Sequence, residues 1–141
     1  MGHFPRCHVE ERVMRLMKRG AITVGEEATV REVAQVMVVN RIGYCVVVNE
    51  KHEVVGIISP RSILRAFGVD LDGTKAKDIL LPYTITITPS SPLSEAVALM
   101  VEKRVDHLVV IADRPGSRAV YGILHGEDLV RAMARNQETK A

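Results

Sequence analysis

The sequence predicts an α/β (α+β) fold of two tandem β-α-β-β-α repeats packed with pseudo-two-fold symmetry, and three observations carry that prediction. First, "AITVGEEATVREVAQVM" at 21–37 lines up with "TITITPSSPLSEAVALM" at 84–100 under a shift of 63 positions. Second, the same shift lays "NRIGYCVVV" at 40–48 on "KRVDHLVVI" at 103–111, and a shift of 66 then relates "GIISPRSILRAF" at 56–67 to "GILHGEDLVRAM" at 122–133. The added positions fall where "NEKHEVV" gives way to "ADRPGSRAVY", a length change that a surface hairpin tolerates. Third, each copy alternates β-branched runs with helix-spaced apolar residues, the pattern of a supersecondary unit that must pack against its twin.

The elements follow in order. Ile22-Thr23-Val24 reads as a short strand. Thr29-Val30-Arg31-Glu32 is a capping box that opens a helix, with Val30, Val33, Ala34, Met37 and Val38 expected inward at i, i+3, i+4, i+7 and i+8. Tyr44–Val48 is a continuous apolar run that reads as a buried strand, and "NEKHE" is the turn that returns it through Val54–Ile58 as a hairpin. Ser59 then supplies an N-cap and Pro60 the first helical position, with Ile63, Leu64 and Phe67 expected inward and Gly68 near the end. The second copy repeats the order with strands near Ile85–Ile87, Leu108–Ile111 and Ala119–Leu124 and helices from about Pro92 and Glu127. Residues 1–141 are expected to form one module, with repeat one at about 11–68, a polar linker at about 69–75 and repeat two at about 76–134.

Composition narrows the function classes. The chain has 141 residues, 47% hydrophobic and 26% charged, enough to bury one core. Its 19 basic and 17 acidic residues are interspersed, so no polybasic arm points to nucleic acid or a membrane surface. Cys7 and Cys45 imply no disulfide framework, and Cys45 sits in an apolar run where a thiol behaves as a small hydrophobe. No long apolar segment suggests a secretion signal or a membrane span, so a soluble, cytoplasmic protein is expected. His3, Cys7 and His8 are a weak metal-like cluster, and no metal site is assigned to them. Phosphate-binding glycine loops, C-x-x-C pairs and nucleophile turns are all missing from the sequence, so no catalytic site is assigned and the chain is not expected to be an enzyme.

The doubled pattern of I-T-V, A-T-V-x-E-x-A-x-x-M, V-V-V and V-G-I-I-S-x-x-S-I-L resembles the cystathionine-β-synthase (CBS) domain, and the tandem pair resembles a Bateman module over about residues 11–134. The resemblance implies a stand-alone regulatory protein that requires no cofactor. It also implies an adenosine-containing ligand in clefts between the repeats, with AMP favoured over ADP, ATP, NAD or S-adenosylmethionine. Such pairs often dimerise into a disc, and a homodimer and an unidentified protein partner are expected, with no nucleic-acid or membrane partner.

The resemblance also suggests residues. Asp128, in the first turn of the last helix, matches the family's ribose-reading aspartate, and a carboxylate suits that task because its two oxygens accept from both hydroxyls. The alternative is that Asp128 merely complements the helix dipole. Ser62 stands at the matching position of repeat one and offers one uncharged oxygen. Ser59, Arg61 and Ser62 together suit an anion such as phosphate, with ordinary Ser-Pro capping as the alternative. His107 is a phosphate candidate unless it pairs with Asp106, and His125 replaces the family's usual hydroxyl residue, so that it contacts phosphate or caps the helix. The family's adenine slot maps to Ile22, Ile42, Gly43 and Tyr44, and its mirror to Ile85, Val105 and Asp106. Two function classes result: a ligand-sensing module, and a ligand-free scaffold that only dimerises or braces another protein.

Overall fold

A computed structural model describes residues 11–140, with side chains described through Arg135. The mixed α+β architecture expected from the repeat is present. In chain order the elements are β1 (Lys18–Arg19), β2 (Thr23–Gly25), α1 (Val30–Asn40), β3 (Cys45–Val48), β4 (Val54–Ile58), α2 (Pro60–Arg65), β5 (Thr86–Ile87), α3 (Leu93–Lys103), β6 (His107–Ile111), β7 (Val120–His125) and α4 (Gly126–Lys140). Short 3-10 turns at Val13–Arg15 and Ala76–Asp78 were not foreseen, nor was β1.

These elements gather into two compact units. The Ser62 unit comprises Ala21–Thr84 with Arg118–Val120, and its three-stranded sheet runs β2-β3-β4. β2 lies parallel to β3 with Thr23 opposite Val46, and β3 lies antiparallel to β4 with Cys45 opposite Ile58. All of β3 is buried, as its unbroken apolar run requires. Burial pushes the Cys45 thiol up to about 11, so this cysteine is a core residue and a poor nucleophile. The Asp128 unit comprises 11–20, Ile85–Ser117 and Tyr121 onward, and its four-stranded sheet runs β1-β7-β6-β5. Val13, Leu93, Met100, Leu108, Leu124 and Leu129 are among its core.

Each unit is completed by a segment that the sequence repeat assigns to the other copy. The first N–H of α1, on Val30, donates to the Thr74 carbonyl at 2.9 Å, and Ala76 N–H donates to the Ala28 carbonyl at 2.7 Å. The first N–H of α3, on Leu93, donates to the Glu11 carbonyl at 2.9 Å, and Val13 N–H donates to the Ser91 carbonyl at 2.8 Å. Every residue in the second pair of bonds stands 63 positions from its counterpart in the first, so the repeat is written in backbone hydrogen bonds as well as in side chains. The predicted capping box closes part of the first turn of α1 locally: Glu32 N–H donates to Thr29 Oγ1 at 3.1 Å and Thr29 N–H donates to Glu32 Oε1 at 2.8 Å. The polar linker is therefore docked. Arg31 N–H also donates to the Leu71 carbonyl at 3.2 Å, and the Arg31 guanidinium meets Asp72 at 2.7 Å.

Three residues expected inward point outward. Val38 is 76% exposed, Leu64 71% and Phe67 90%. In α1 the buried stripe is Val30, Val33 and Met37, and by the last turn it has rotated away from Val38. In α2 the helix is only six residues long, and Ser62 and Ala66, one turn apart, occupy the inward face. Phe67 lies past its end.

The repeated glycines, Gly56 and Gly122, are both places of close approach. A Cβ on Gly122 would fall on the Lys18 carbonyl oxygen of neighbouring β1, whereas a Cβ on Gly56 would meet the Leu80 side chain at 2.8 Å. Backbone cannot yield as a leucine tip can. Gly56→Ala is expected to cost about 1 kcal/mol and Gly122→Ala about 3 kcal/mol or more in urea unfolding. Equal losses would contradict this packing.

Candidate functional site

The two helix starts that the 66-residue shift relates are built differently. At α2 both serines are committed to each other: Ser59 N–H donates to Ser62 Oγ at 3.2 Å, and Ser62 N–H donates to Ser59 Oγ at 3.4 Å. The hydroxyls are also 3.4 Å apart, and both residues are buried. This reciprocal box is the capping alternative of the sequence reading, realised in full, while Arg61 stands exposed at the surface. At α4 the corresponding pair is His125 and Asp128. His125 N–H donates to Asp128 Oδ2 at 3.3 Å. A carboxylate oxygen keeps lone pairs after accepting one N–H. Asp128 is thus oriented but not consumed by capping.

Asp128 is 12% exposed at its side chain and lies 3.4 Å from Arg131, whose other terminal nitrogen is 3.1 Å from Glu127. His125, half-buried at the end of β7, is titrated downward chiefly by burial. Asp128 opposes that shift, Lys18 and His107 reinforce it, and Asp106 opposes it. His107 opens β6, is buried, and lies with Nδ1 3.3 Å from Asp106 Oδ1, the pairing that competed with a phosphate role. Gly126 N–H donates to the Asp106 carbonyl at 2.8 Å and joins the start of α4 to the start of β6.

The Asp128 unit therefore brings together Asp128, His125 and His107. Ile22, Ile42, Gly43, Tyr44, Ser59, Arg61 and Ser62 belong to the Ser62 unit. There Ile22, Ile42 and Tyr44 are half-buried, and Gly43 has open space where a side chain would stand. Of the residues mapped to the mirror slot, Ile85 and Val105 pack on the core of the Asp128 unit. Lys18 was missed: it arrives beside His125 on β1, two residues long and without a sequence pattern of its own. An open hollow of about 420 Å³ in the Asp128 unit is lined by Met100, Val105, Asp106, Gly126, Leu129 and Val130 among others. The Ser62 unit has one of about 340 Å³ bordered by Ser62, Arg65, Ala66, Thr74, Asp78 and Leu80 among others.

His3, Cys7 and His8 lie outside the described residues. Among the described residues no group of three His, Cys, Asp or Glu side chains is placed to hold a metal ion. No helix among them is long and apolar enough to cross a membrane.

The family model described as CBS domain matches twice, at residues 11–69 and 76–135. The chain belongs to the CBS domain family. An uncharacterized protein, MK0525 of Methanopyrus kandleri, is 32% identical to this CBS chain over 117 residues, 81% of the chain and 58% of that protein. The chain spans about half the length of the curated relatives it matches, with 58%, 44% and 41% of three of them covered. Among solved structures, CBS domain protein PAE2072 from Pyrobaculum aerophilum complexed with AMP is 31% identical with a TM-score of 0.76, over 92% of this chain and 99% of that one. The CBS domain pair of protein MJ0100, in complex with 5′-methylthioadenosine and S-adenosyl-L-methionine, shares the fold at 22% identity, TM-score 0.76, over 89% of this chain and 98% of that one.

The surroundings of His125 in this CBS pair give a pH dependence. Because the fold favours its neutral imidazole, His125 contributes stability that is full above the ordinary histidine value of 6.5 and is lost as pH falls through its lower folded value. In melting curves, His125→Gln is expected to lose less stability than wild type on acidification below about pH 6.5. Parallel declines would show that His125 is not the group responsible.

Proposed function

We propose that this CBS pair is a regulatory module that senses an adenosine-containing ligand, AMP foremost, through Asp128. The observation that carries the proposal is the carboxylate at the start of α4: Asp128 takes the His125 N–H on one oxygen and faces exposed Arg131 with the other, and its remaining lone pairs suit the 2′ and 3′ hydroxyls of a ribose. The similarity to PAE2072, solved with AMP and above 30% identity, supports the choice of ligand. His125 and His107 stand in the same unit as Asp128 as candidates to meet phosphate. The Ser59, Arg61 and Ser62 end is the weaker one, because its hydroxyls already serve the cap. The module acts by changing its association with a protein partner, in keeping with CBS pairs as regulatory rather than catalytic units, and the cytoplasm remains the proposed location.

A homodimer belongs to the same proposal. Val38, Val39, Leu64 and Phe67 in one unit and Val101, Val130 and Met133 in the other are exposed aliphatic or aromatic side chains on or beside helices. Isologous contact with a second copy covers patches of this kind. The same exposed residues favour the second reading, a dimerising scaffold without ligand. Sedimentation at micromolar concentration is expected to give a dimer, and a monomer alone would refute that assembly.

Titration with AMP separates the two readings. Asp128→Ala is expected to weaken binding tenfold or more, since it removes charge-assisted hydrogen bonds of about 1.5–3 kcal/mol each before compensation by water. Ser62→Ala is expected to leave AMP affinity nearly intact while lowering the melting temperature through the lost cap. Equal losses of affinity in the two variants, or none in Asp128→Ala, would overturn the assignment.

A further inference from the structure

The arginine that both repeats carry in their final helix, Arg65 in one and Arg131 in the other, has no role in the reading above. Only Arg131 has an acid one turn before it. Its Nη1 lies 3.4 Å from Asp128 Oδ1 and its Nη2 lies 3.1 Å from Glu127 Oε2. With His125 N–H on Oδ2, both oxygens of Asp128 already accept a donor.

A ribose diol brings two O–H donors to that carboxylate. Guanidinium offers donors only and does not deprotonate, so it cannot accept from a ribose hydroxyl and competes with it for the same lone pairs. The arginine side chain is 56% exposed and Glu127 74%, so the pair is wet, weak and free to rearrange, whereas Asp128 at 12% is held in place. Arg131 thus has two acceptors within reach, and only one of them is the proposed ribose reader.

On the strength of the ribose-reading role of Asp128, we propose that Arg131 is an internal competitor for that carboxylate and that Glu127 sets ligand affinity by drawing Arg131 aside. The device belongs to one repeat alone. Ser62 replaces the aspartate and Arg61 replaces the glutamate in the other copy, so Arg65 has no comparable pair of acids. Arg131 is an affinity-setting residue in this scheme and makes no contact with the bound ligand.

The test compares adenosine, which has the diol without a phosphate, with AMP, which has both, by calorimetry on the full chain. Arg131→Gln is expected to tighten both ligands by a similar factor, about two- to fivefold, the range that an exposed ion pair permits. Glu127→Gln is expected to weaken both, because Arg131 then rests on Asp128 alone. Raising salt is expected to improve adenosine binding in wild type and to leave Arg131→Gln unchanged. Unchanged or weaker adenosine binding in Arg131→Gln, with wild type binding normally, would overturn the competitor role while sparing the ribose reading. Weaker AMP binding alone would make Arg131 a phosphate contact and equally overturn it. No binding of either ligand to wild type would remove the ribose reading and this inference together.

Discussion

Two helices in this chain begin with backbone N–H groups that have to find acceptors, and the acceptors come from outside their own repeat. Val30 finds Thr74 and Leu93 finds Glu11, in each case through a carbonyl of the segment that leads into the other copy. The orphan donors of a helix start are costly to leave unsatisfied, so this arrangement ties the 3-10 turns at Val13–Arg15 and Ala76–Asp78 to their sheets and buries Val13 and Ala76 completely. The consequence reaches the start of α4 in the Asp128 unit. The segment anchored by Val13 continues into β1, whose backbone presses on Gly122 and whose Lys18 influences His125. The glycine is needed because strand and strand meet there.

Against that shared framework, the divergence between copies at the two related helix starts has large chemical consequences. A serine pair closes the start of α2 by satisfying itself on both sides. Replacing the pair with histidine and aspartate keeps the bond from the first residue's N–H to the second residue's side chain and introduces a charge with spare acceptor capacity. Burial of the imidazole favours its neutral form beside that charge. Duplication supplied the scaffold twice, and the substitutions made its two ends unequal.

Much of this was legible in the sequence because it depends on local chemistry. Thr29 with Glu32 and Ser59 with Pro60 announce helix starts within four residues, and Tyr44–Val48 announces a buried strand. The shifts of 63 and 66 announce the doubled unit. What escaped depends on distant chain or on the outer limits of an element. β1 is two residues whose strand character comes from pairing with β7, and no periodicity reveals it. Val38 and Phe67 fit an inward spacing, but helix rotation in one case and a helix that stops at Arg65 in the other put them outside. Asp128 could be singled out by its place after Gly122-Ile123-Leu124. Its bond to His125 and its pair with Arg131 required coordinates.

The central claim is that one end of the duplicated module reads an adenosine ligand and the other is closed by its own cap. The stoichiometry of AMP binding to the full chain, measured by isothermal calorimetry, tests it most directly. The account predicts one strong site per chain. Two sites of equal affinity, or none, would contradict it.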